Sequence, residues 1–400
     1  MFTCDLHLTG GASCPLPKCA PHLGPPSLAN NSKVSQPSLT HIHNSQLTAC
    51  NSVGHSLAMP PLRHPALPRL ITYYQTHHTP SGTPISVLPL LQNPGISLTH
   101  LILAAIHINE DPSGLTLNDH PPSHPRFTTL WAELRVLQAS GVKVLGMLGG
   151  AAQGTFARLD NNTDDDASFE AYYAPLAALV RQRALDGLDL DVEEAMSLGG
   201  IIRLIDRLRA DFGPAFLITL APVAAALLRA EHNLSGFDYE ALEVLRGGEI
   251  AWYHAQFYCG WGDCSNPAMY EMMLAKGWPP EKIVVGLVTS PRNGGGWVPW
   301  NVLGNVLPLL AGRHPRFGGV MGWEYFNSLP GGEERPWEWA QAMSALLRGR
   351  RTVPGVERIE GTHNAPKEAD PDEGGNFEAA AAPVPRVFEY HSDGEAQEEE

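Results

Sequence analysis

The chain has 400 residues, 43% of them apolar, with 42 acidic against 27 basic side chains and a formal charge of −15. That acidic balance excludes nucleic acid as the main partner, because a phosphate backbone is bound by a basic face. No window approaches the ~18 consecutive apolar residues of a membrane span, and six Cys in so long a chain do not make a disulfide scaffold.

Residues 1–68 hold 10 Pro, 8 Ser and 6 His and show no sustained period of 3.6 or 2. Such a segment buries too little apolar surface to offset the entropy of ordering it, so a disordered leader is expected. Met1–Asp5 has no basic n-region and no apolar stretch follows, so no signal peptide is recognisable. Cys4, Cys14, Cys19 and Cys50 lie here at spacings that match no zinc pattern. Residues 351–400 carry 13 acids and 4 bases, a charge of −9, and read as an acidic disordered tail.

Between these ends, 69–350 alternates short apolar runs with longer amphipathic ones. Strands are predicted at 70–75, 99–109, 142–149, 187–193, 216–222, 250–258, 283–289 and 319–325. Helices are predicted at 127–139, 168–183, 200–211, 239–246, 267–276, 301–310 and 336–348. In the second helix Phe169, Tyr172, Tyr173, Leu176, Leu179 and Val180 recur at the i, i+3/i+4, i+7 spacing of one buried face. Gly141 and Gly277 are expected helix stops. Eight βα units in about 280 residues have the rhythm of a closed (β/α)8 barrel. An open doubly wound sheet would favour a phosphate-binding glycine turn after its first strand. Here that strand is followed by Thr76-His77-His78-Thr79-Pro80, a histidine pair expected to face solvent. Gly294-Gly295-Gly296 is expected to be a flexible loop.

In a barrel, chemistry sits at the carboxyl ends of the strands. The fourth predicted strand reads Asp186-Gly187-Leu188-Asp189-Leu190-Asp191-Val192-Glu193. Alternation turns Asp189, Asp191 and Glu193 to the barrel interior at ~6–7 Å intervals and turns the three apolar residues toward the helices. Three carboxyl groups so close cannot all ionise, so at least one holds a proton. A carboxylic acid that stores a proton at neutral pH is what general acid catalysis needs. Glu193, nearest the mouth, is the expected donor, Asp191 orients or exchanges a proton with it, and Asp189 shares the network below. A divalent cation would want acids on other strands as well, and none is seen facing inward there. Glu324 adjoins Trp323, so one of those two must face out. Glu194 points away from Glu193 and does not pair with it as a catalytic dyad. One acid without an opposed carboxylate nucleophile suggests glycoside cleavage in which the substrate's own acetamido group attacks.

Asp186–Glu193 resembles the DGxDxDxE signature of glycoside hydrolase family 18, the chitinase-like family. The resemblance runs over about 69–349 and includes Gln256-Phe257-Tyr258 on the sixth strand and Trp323 at the end of the eighth. It implies a single (β/α)8 TIM barrel, with Glu193, Asp191, Asp189 and Tyr258 as catalytic residues. Trp323, Gln256, Tyr73, Gln75 and Trp261 are implied as substrate-binding residues. Where many members have Ser-x-Gly-Gly on the third strand, this chain has Met147-Leu148-Gly149-Gly150, which removes a hydroxyl from the network under the acids. Stretches such as Met147–Ala152, Asn233–Phe237 and Gly322–Pro330 are similar to the fungal endo-β-N-acetylglucosaminidases of the family. About 24 residues between Thr289 and Arg313 leave no room for a chitinase insertion domain.

The resemblance implies cleavage of the GlcNAc-β1,4-GlcNAc bond of N-glycan cores with retention, with chitin or its oligomers as the alternative substrate and a non-catalytic lectin as a third. The partner is then a GlcNAc-containing glycan rather than nucleic acid or membrane. No cofactor or metal motif is present, nothing points to an oligomer, and the expected state is a monomer. The compartment stays open between secretion, which the family implies, and the cytoplasm, which the missing signal peptide suggests. Trp261, Trp297 and Trp300 can each stack on a sugar or pack on the rim, and Cys259 and Cys264 can be bridged or free. Asn161-Asn162-Thr163 and Asn233-Leu234-Ser235 fit the glycosylation sequon.

Overall fold

The computed structural model describes residues 67–160 and 166–349. The expected leader and tail, the four N-terminal Cys and the Asn161-Asn162-Thr163 sequon lie outside these residues, apart from the leader's last two positions. Eight parallel strands follow the eight predicted: β1 Arg69–Tyr74, β2 His100–His107, β3 Lys143–Gly149, β4 Gly187–Asp191, β5 Leu217–Leu220, β6 Trp252–Gln256, β7 Ile283–Val288 and β8 Gly319–Trp323. Each pairs with its neighbours in sequence, and β1 pairs with both β2 and β8, which closes the barrel.

The seven expected helices are present, at Thr128–Ala139, Asp166–Arg183, Leu198–Phe212, Tyr239–Arg246, Ala268–Lys276, Trp300–Arg313 and Trp337–Leu347. Gly141 and Gly277 both take positive φ, as left-handed helix stops require. Two short helices, Pro89–Gln92 and Thr155–Leu159, and a two-residue strand, Thr116–Leu117, antiparallel to β2, were not legible in the pattern. The β7–β8 connection holds one 3-10 turn, Pro291–Asn293, and one helix.

The alternation of each strand divides the apolar side chains into two cores. Leu188, Leu190 and Val192 of the acidic strand face outward and join Tyr253, Ala255, Phe257, Ile218 and Leu220 under the ring of helices. A second cluster fills the barrel itself and includes Ile71, Tyr73, Ile102, Met147, Trp252, Val284 and Met321. Each fully buried Leu of the outer layer contributes about 1.5–3 kcal/mol. That layer fixes the register of β4 and so aims the alternate residues, the acids, into the barrel.

Candidate active site

Asp189 and Asp191 lie on β4 and point into the barrel, 0% and 5% exposed. Glu193 sits two residues past the strand end and is half-buried. In register, Asp189 faces Met147 on β3 and Thr219 on β5, and Asp191 faces Gly149. Strand β6 and its extension carry a matching inward series at every second residue: Trp252, His254, Gln256 and Tyr258. The amide of Gln256 donates to Asp191 Oδ1 and to Glu193 Oε1, both at 3.2 Å, and to the carbonyl of Ala221 at 2.9 Å. It ties the upper two acids together.

The lowest acid is held differently. The Tyr73 hydroxyl donates to Asp189 Oδ2 at 2.6 Å, and the Thr219 hydroxyl donates to Oδ1 at 2.6 Å. His254 Nδ1 lies 3.0 Å from the same Oδ1. Burial pushes the Asp189 carboxyl up, but His254, Thr219 and Tyr73 together outweigh it and hold the group below the ordinary carboxylate range. For Asp191 the balance is reversed. Burial, then the negative charges of Glu193 and Asp189, push its carboxyl well above the ordinary range. The column therefore favours charge at its foot and a proton above it, at Asp191. Tyr258 is also pushed well above its ordinary value, by burial first and then by Asp191 and Glu193. It stays a neutral phenol that can donate a hydrogen bond.

A cavity of about 320 Å³ opens above these groups, and its lining includes Asp191, Glu193, Gln256, Tyr258, Trp323 and Gln75. Trp261 lines the same cavity. Trp323 is braced edge-on by Tyr73, with ring centroids 5.5 Å apart. Gly150 forms part of the wall at φ +89°, and a Cβ there would meet Met147 Cε at 2.6 Å. A side chain at this position would also enter the space beside Asp191 Oδ2, 3.5 Å from that Cβ.

Of the expected residues, the structure brings Glu193, Asp191, Gln256, Tyr258, Trp323, Gln75 and Trp261 to one cavity. Asp189 and Tyr73 lie beneath it and bond to each other. Tyr73 therefore braces the floor rather than lining the cleft. The expectation that His77 faces solvent is corrected: His77 is 3% exposed and donates from Nε2 to the carbonyl of Tyr74. Of the pair Trp323 and Glu324, the glutamate turns away from the cavity and accepts from the backbone of Gln75 and Thr76 and from the Thr76 hydroxyl. Glu194 accepts from the N–H groups of Gly154 and Phe156, at the start of the Thr155–Leu159 helix. Cys259 and Cys264 are free thiols, the first exposed and the second buried. The Gly295 carbonyl accepts from the Cys259 N–H, so the glycine-rich loop packs over the Tyr258–Cys259 corner.

Two residues escaped the sequence reading. His254 looks like any buried residue of an alternating strand, although its place two residues before Gln256 was a signal. Asn293, in a loop with no periodicity, donates to the Trp323 carbonyl at 3.2 Å and lines the cavity.

Comparison with known proteins bears on this arrangement. The model of the glycosyl hydrolases family 18 matches residues 69–297, from the first strand through the seventh. The chain belongs to glycosyl hydrolase family 18. Among solved structures, this hydrolase is 51% identical to a fungal endo-beta-N-acetylglucosaminidase of the family, with a TM-score of 0.69 over 71% of this chain and 100% of that one. It is 58% identical to the chitinase ChiC from Aspergillus fumigatus, with a TM-score of 0.63 over 69% of this chain and 98% of that one. It is also 29% identical over 210 residues to chitinase 2 of Rhizopus oligosporus, a match that covers 48% of this chain and only 36% of that protein. The hydrolase is thus similar both to chitinases and to an endo-beta-N-acetylglucosaminidase.

Proposed function

We propose that this family 18 hydrolase cleaves the GlcNAc-β1,4-GlcNAc bond of N-glycan cores with retention, using the substrate's 2-acetamido group as the nucleophile. One observation carries the chemistry. Among the described residues lining the cavity, the only carboxyl groups are Asp191 and Glu193, two positions apart on one chain segment. A two-carboxylate retaining site would place a second acid about 5–5.5 Å across the bond from the donor. Both acids lie within reach of the one Gln256 amide, on one side of the cavity, which fits a nucleophile that comes with the substrate.

The steps follow from the groups present. Glu193 protonates the glycosidic oxygen as the bond to C1 breaks. The acetamido oxygen attacks C1 and forms an oxazolinium ion. With the column's proton passed on to Glu193, Asp191 is a carboxylate that accepts a hydrogen bond from the acetamido N–H and steadies the positive charge, while the Tyr258 phenol donates to the acetamido oxygen. Glu193 then takes a proton from water, which opens the ring at C1 with overall retention. Gln256 holds both carboxyl groups in place, and Trp323 offers its face to the sugar.

The N-glycan reading is supported by the ground beside the cavity. A groove of about 390 Å³ shares Gln75, His107 and Ala152 with it. Asn109, Asn118, Asp119 and Gln153 line it, and His107 is the only aromatic ring along it. Such a wall suits the hydroxyl groups of a mannose-rich branch better than the stacking faces of a β1,4-GlcNAc polymer. The second reading, a chitinase, is favoured by the 58% identity to ChiC and by the two indoles, Trp261 and Trp323, at the cavity. Parallel assays decide between them. Wild-type enzyme and Glu193→Gln are given a high-mannose glycoprotein and chitin oligomers. Release of the glycan by the wild type supports the first reading, and shortening of the oligomers without release supports the second.

A further inference from the structure

We propose that His254 is a positioning residue: a neutral imidazole, fixed as the Nδ1–H tautomer by Trp252, that keeps Asp189 a carboxylate at the foot of the acid column. The proposal rests on the site described above and goes beyond it to a residue outside the cavity.

The inference starts from one donor that has no choice. The indole N–H of Trp252 can only donate, and it lies 2.6 Å from His254 Nε2. That nitrogen must accept, so it carries no hydrogen, and the ring proton of a neutral His254 is on Nδ1. Nδ1 has two neighbours, Asp189 Oδ1 at 3.0 Å and the Tyr73 hydroxyl at 2.9 Å. Because Nδ1 donates, Tyr73 cannot donate to it. The Tyr73 hydroxyl hydrogen goes to Asp189 Oδ2, 2.6 Å away. One indole N–H thereby sets the direction of the hydrogen bonds on both Asp189 oxygens.

The consequence is electrostatic. Asp189 receives three donors, from Tyr73, Thr219 and His254. A proton added to it would face a donor on either oxygen, so the carboxyl stays ionised although it is fully buried. A neutral His254 donates without cancelling the charge. The charge acts upward on Asp191, and the proton of the column is held there, next to Glu193. An imidazolium at His254 would neutralise the foot and remove that bias.

The neighbours on other strands are consistent with a neutral ring. Asp189 on β4 and Tyr73 on β1 touch it directly. On its far side, the Arg69 guanidinium lies 4.1 Å from the Trp252 ring centroid, and the His100 ring centroid lies 4.8 Å from it. Arg69 is positive, and burial first, then Arg69, hold His100 well below the ordinary imidazole range. β7 and β8 contribute apolar Val284 and Met321 to the barrel interior. The arrangement also accounts for Met147. Residues 147–150, at the end of β3 and just past it, offer no hydroxyl to the acids, and donors to the lowest acid come instead from β1, β5 and β6.

The test combines a spectroscopic and a kinetic readout. ¹⁵N NMR of the wild-type enzyme, labelled on histidine, should show His254 with its hydrogen on Nδ1 and none on Nε2 under the conditions of the activity assay. His254→Leu should lower kcat about 10- to 100-fold, with KM changed by less than about twofold. It should also move the acid limb of the kcat profile to higher pH, because Asp189 then takes a proton more readily. His254→Asn, which keeps an N–H near the Nδ1 position, should restore most of kcat and return the limb. Trp252→Phe releases the tautomer and should move the limb in the same direction as His254→Leu, which keeps the proposal testable if that variant does not fold. An imidazolium or an Nε2–H tautomer in the wild type would overturn the proposal, and so would a folded His254→Leu or Trp252→Phe whose limb does not move. If Glu193→Gln keeps full activity while the tautomer is as stated, the site reading fails and the hydrogen-bond assignment stands.

Discussion

Gln256 and Asp191 stand two strands apart in the barrel, at β6 and β4 with β5 between them, and meet at 3.2 Å through the Gln256 amide, which also reaches Glu193 at 3.2 Å. Two residues 65 positions apart in sequence thus meet at the acids. An ordinary hydrogen bond contributes about 0.5–1.5 kcal/mol net. Gln256→Leu removes both, with little change in volume. Its kcat should fall about 10- to 100-fold with a modest effect on thermal stability. Steady-state kinetics and a melting curve check this, and an unchanged kcat would contradict the tie.

Asp191 is assigned to the acetamido nitrogen, a contact needed to form the oxazolinium ion and less needed once the ring exists. Asp191→Asn should lower hydrolysis of the natural glycan by about 10²–10³-fold. A preformed GlcNAc oxazoline should lose much less. Comparison of the two substrates on the same variant measures the difference, and an equal loss on both argues against the orienting role.

Much of this architecture was legible in the sequence because alternation states it twice, once in the acidic strand and once in the Trp252–Tyr258 run. The eight strands and seven helices followed from periodicity. What period 2 does not state is depth. Tyr73 on β1 and Gln75 just past its end are two positions apart, yet only Gln75 reaches the cavity, while Tyr73 sits at the level of Asp189. That level depends on strand tilt and stagger in the closed barrel, which no local pattern contains. His254 was hidden for a related reason: its role depends on Trp252 two residues before it and on Asp189 two strands away. Asn293 and the Thr155–Leu159 helix were missed because their partners, Trp323 and Glu194, are distant in sequence.

Gly149 ends β3 at φ +92°, and a Cβ there would fall against the Phe156 ring and 2.6 Å from the Asp191 carbonyl oxygen. The backbone of Asp191 cannot yield without moving the acid. Gly149→Ala should therefore cost about 2–3 kcal/mol from the left-handed φ and the clash, lowering Tm by about 4–10 °C. Differential scanning calorimetry and an activity assay would show both losses together. A stable variant with lost activity would mean that the displacement is confined to the site.

Burial lowers His77 to about 4, with the Tyr74 carbonyl as its hydrogen-bond partner. The unfolded chain binds this proton near pH 6.5 and the folded one only near 4, so the unfolded state holds more protons between these values. Stability is therefore full above about pH 6.5 and is lost as pH falls toward 4, by about 3 kcal/mol for this one group. Denaturant unfolding of wild type and His77→Phe at pH 7, 6, 5 and 4 checks it. The variant should be less stable at pH 7, having lost the hydrogen bond, but should lose less on acidification. Parallel pH curves for the two proteins would contradict the assignment.

The central claim is that Glu193 is the proton donor to the glycosidic oxygen and that the nucleophile belongs to the substrate. Glu193→Gln keeps the shape of the side chain and removes the proton. Its turnover of a GlcNAc-containing glycan, measured beside the wild type with melting curves for both, is the most direct test. A fall of at least about 10²–10⁴-fold with an unchanged Tm is expected. Near-full hydrolysis by the folded variant would contradict the assignment of Glu193 and the mechanism built on it.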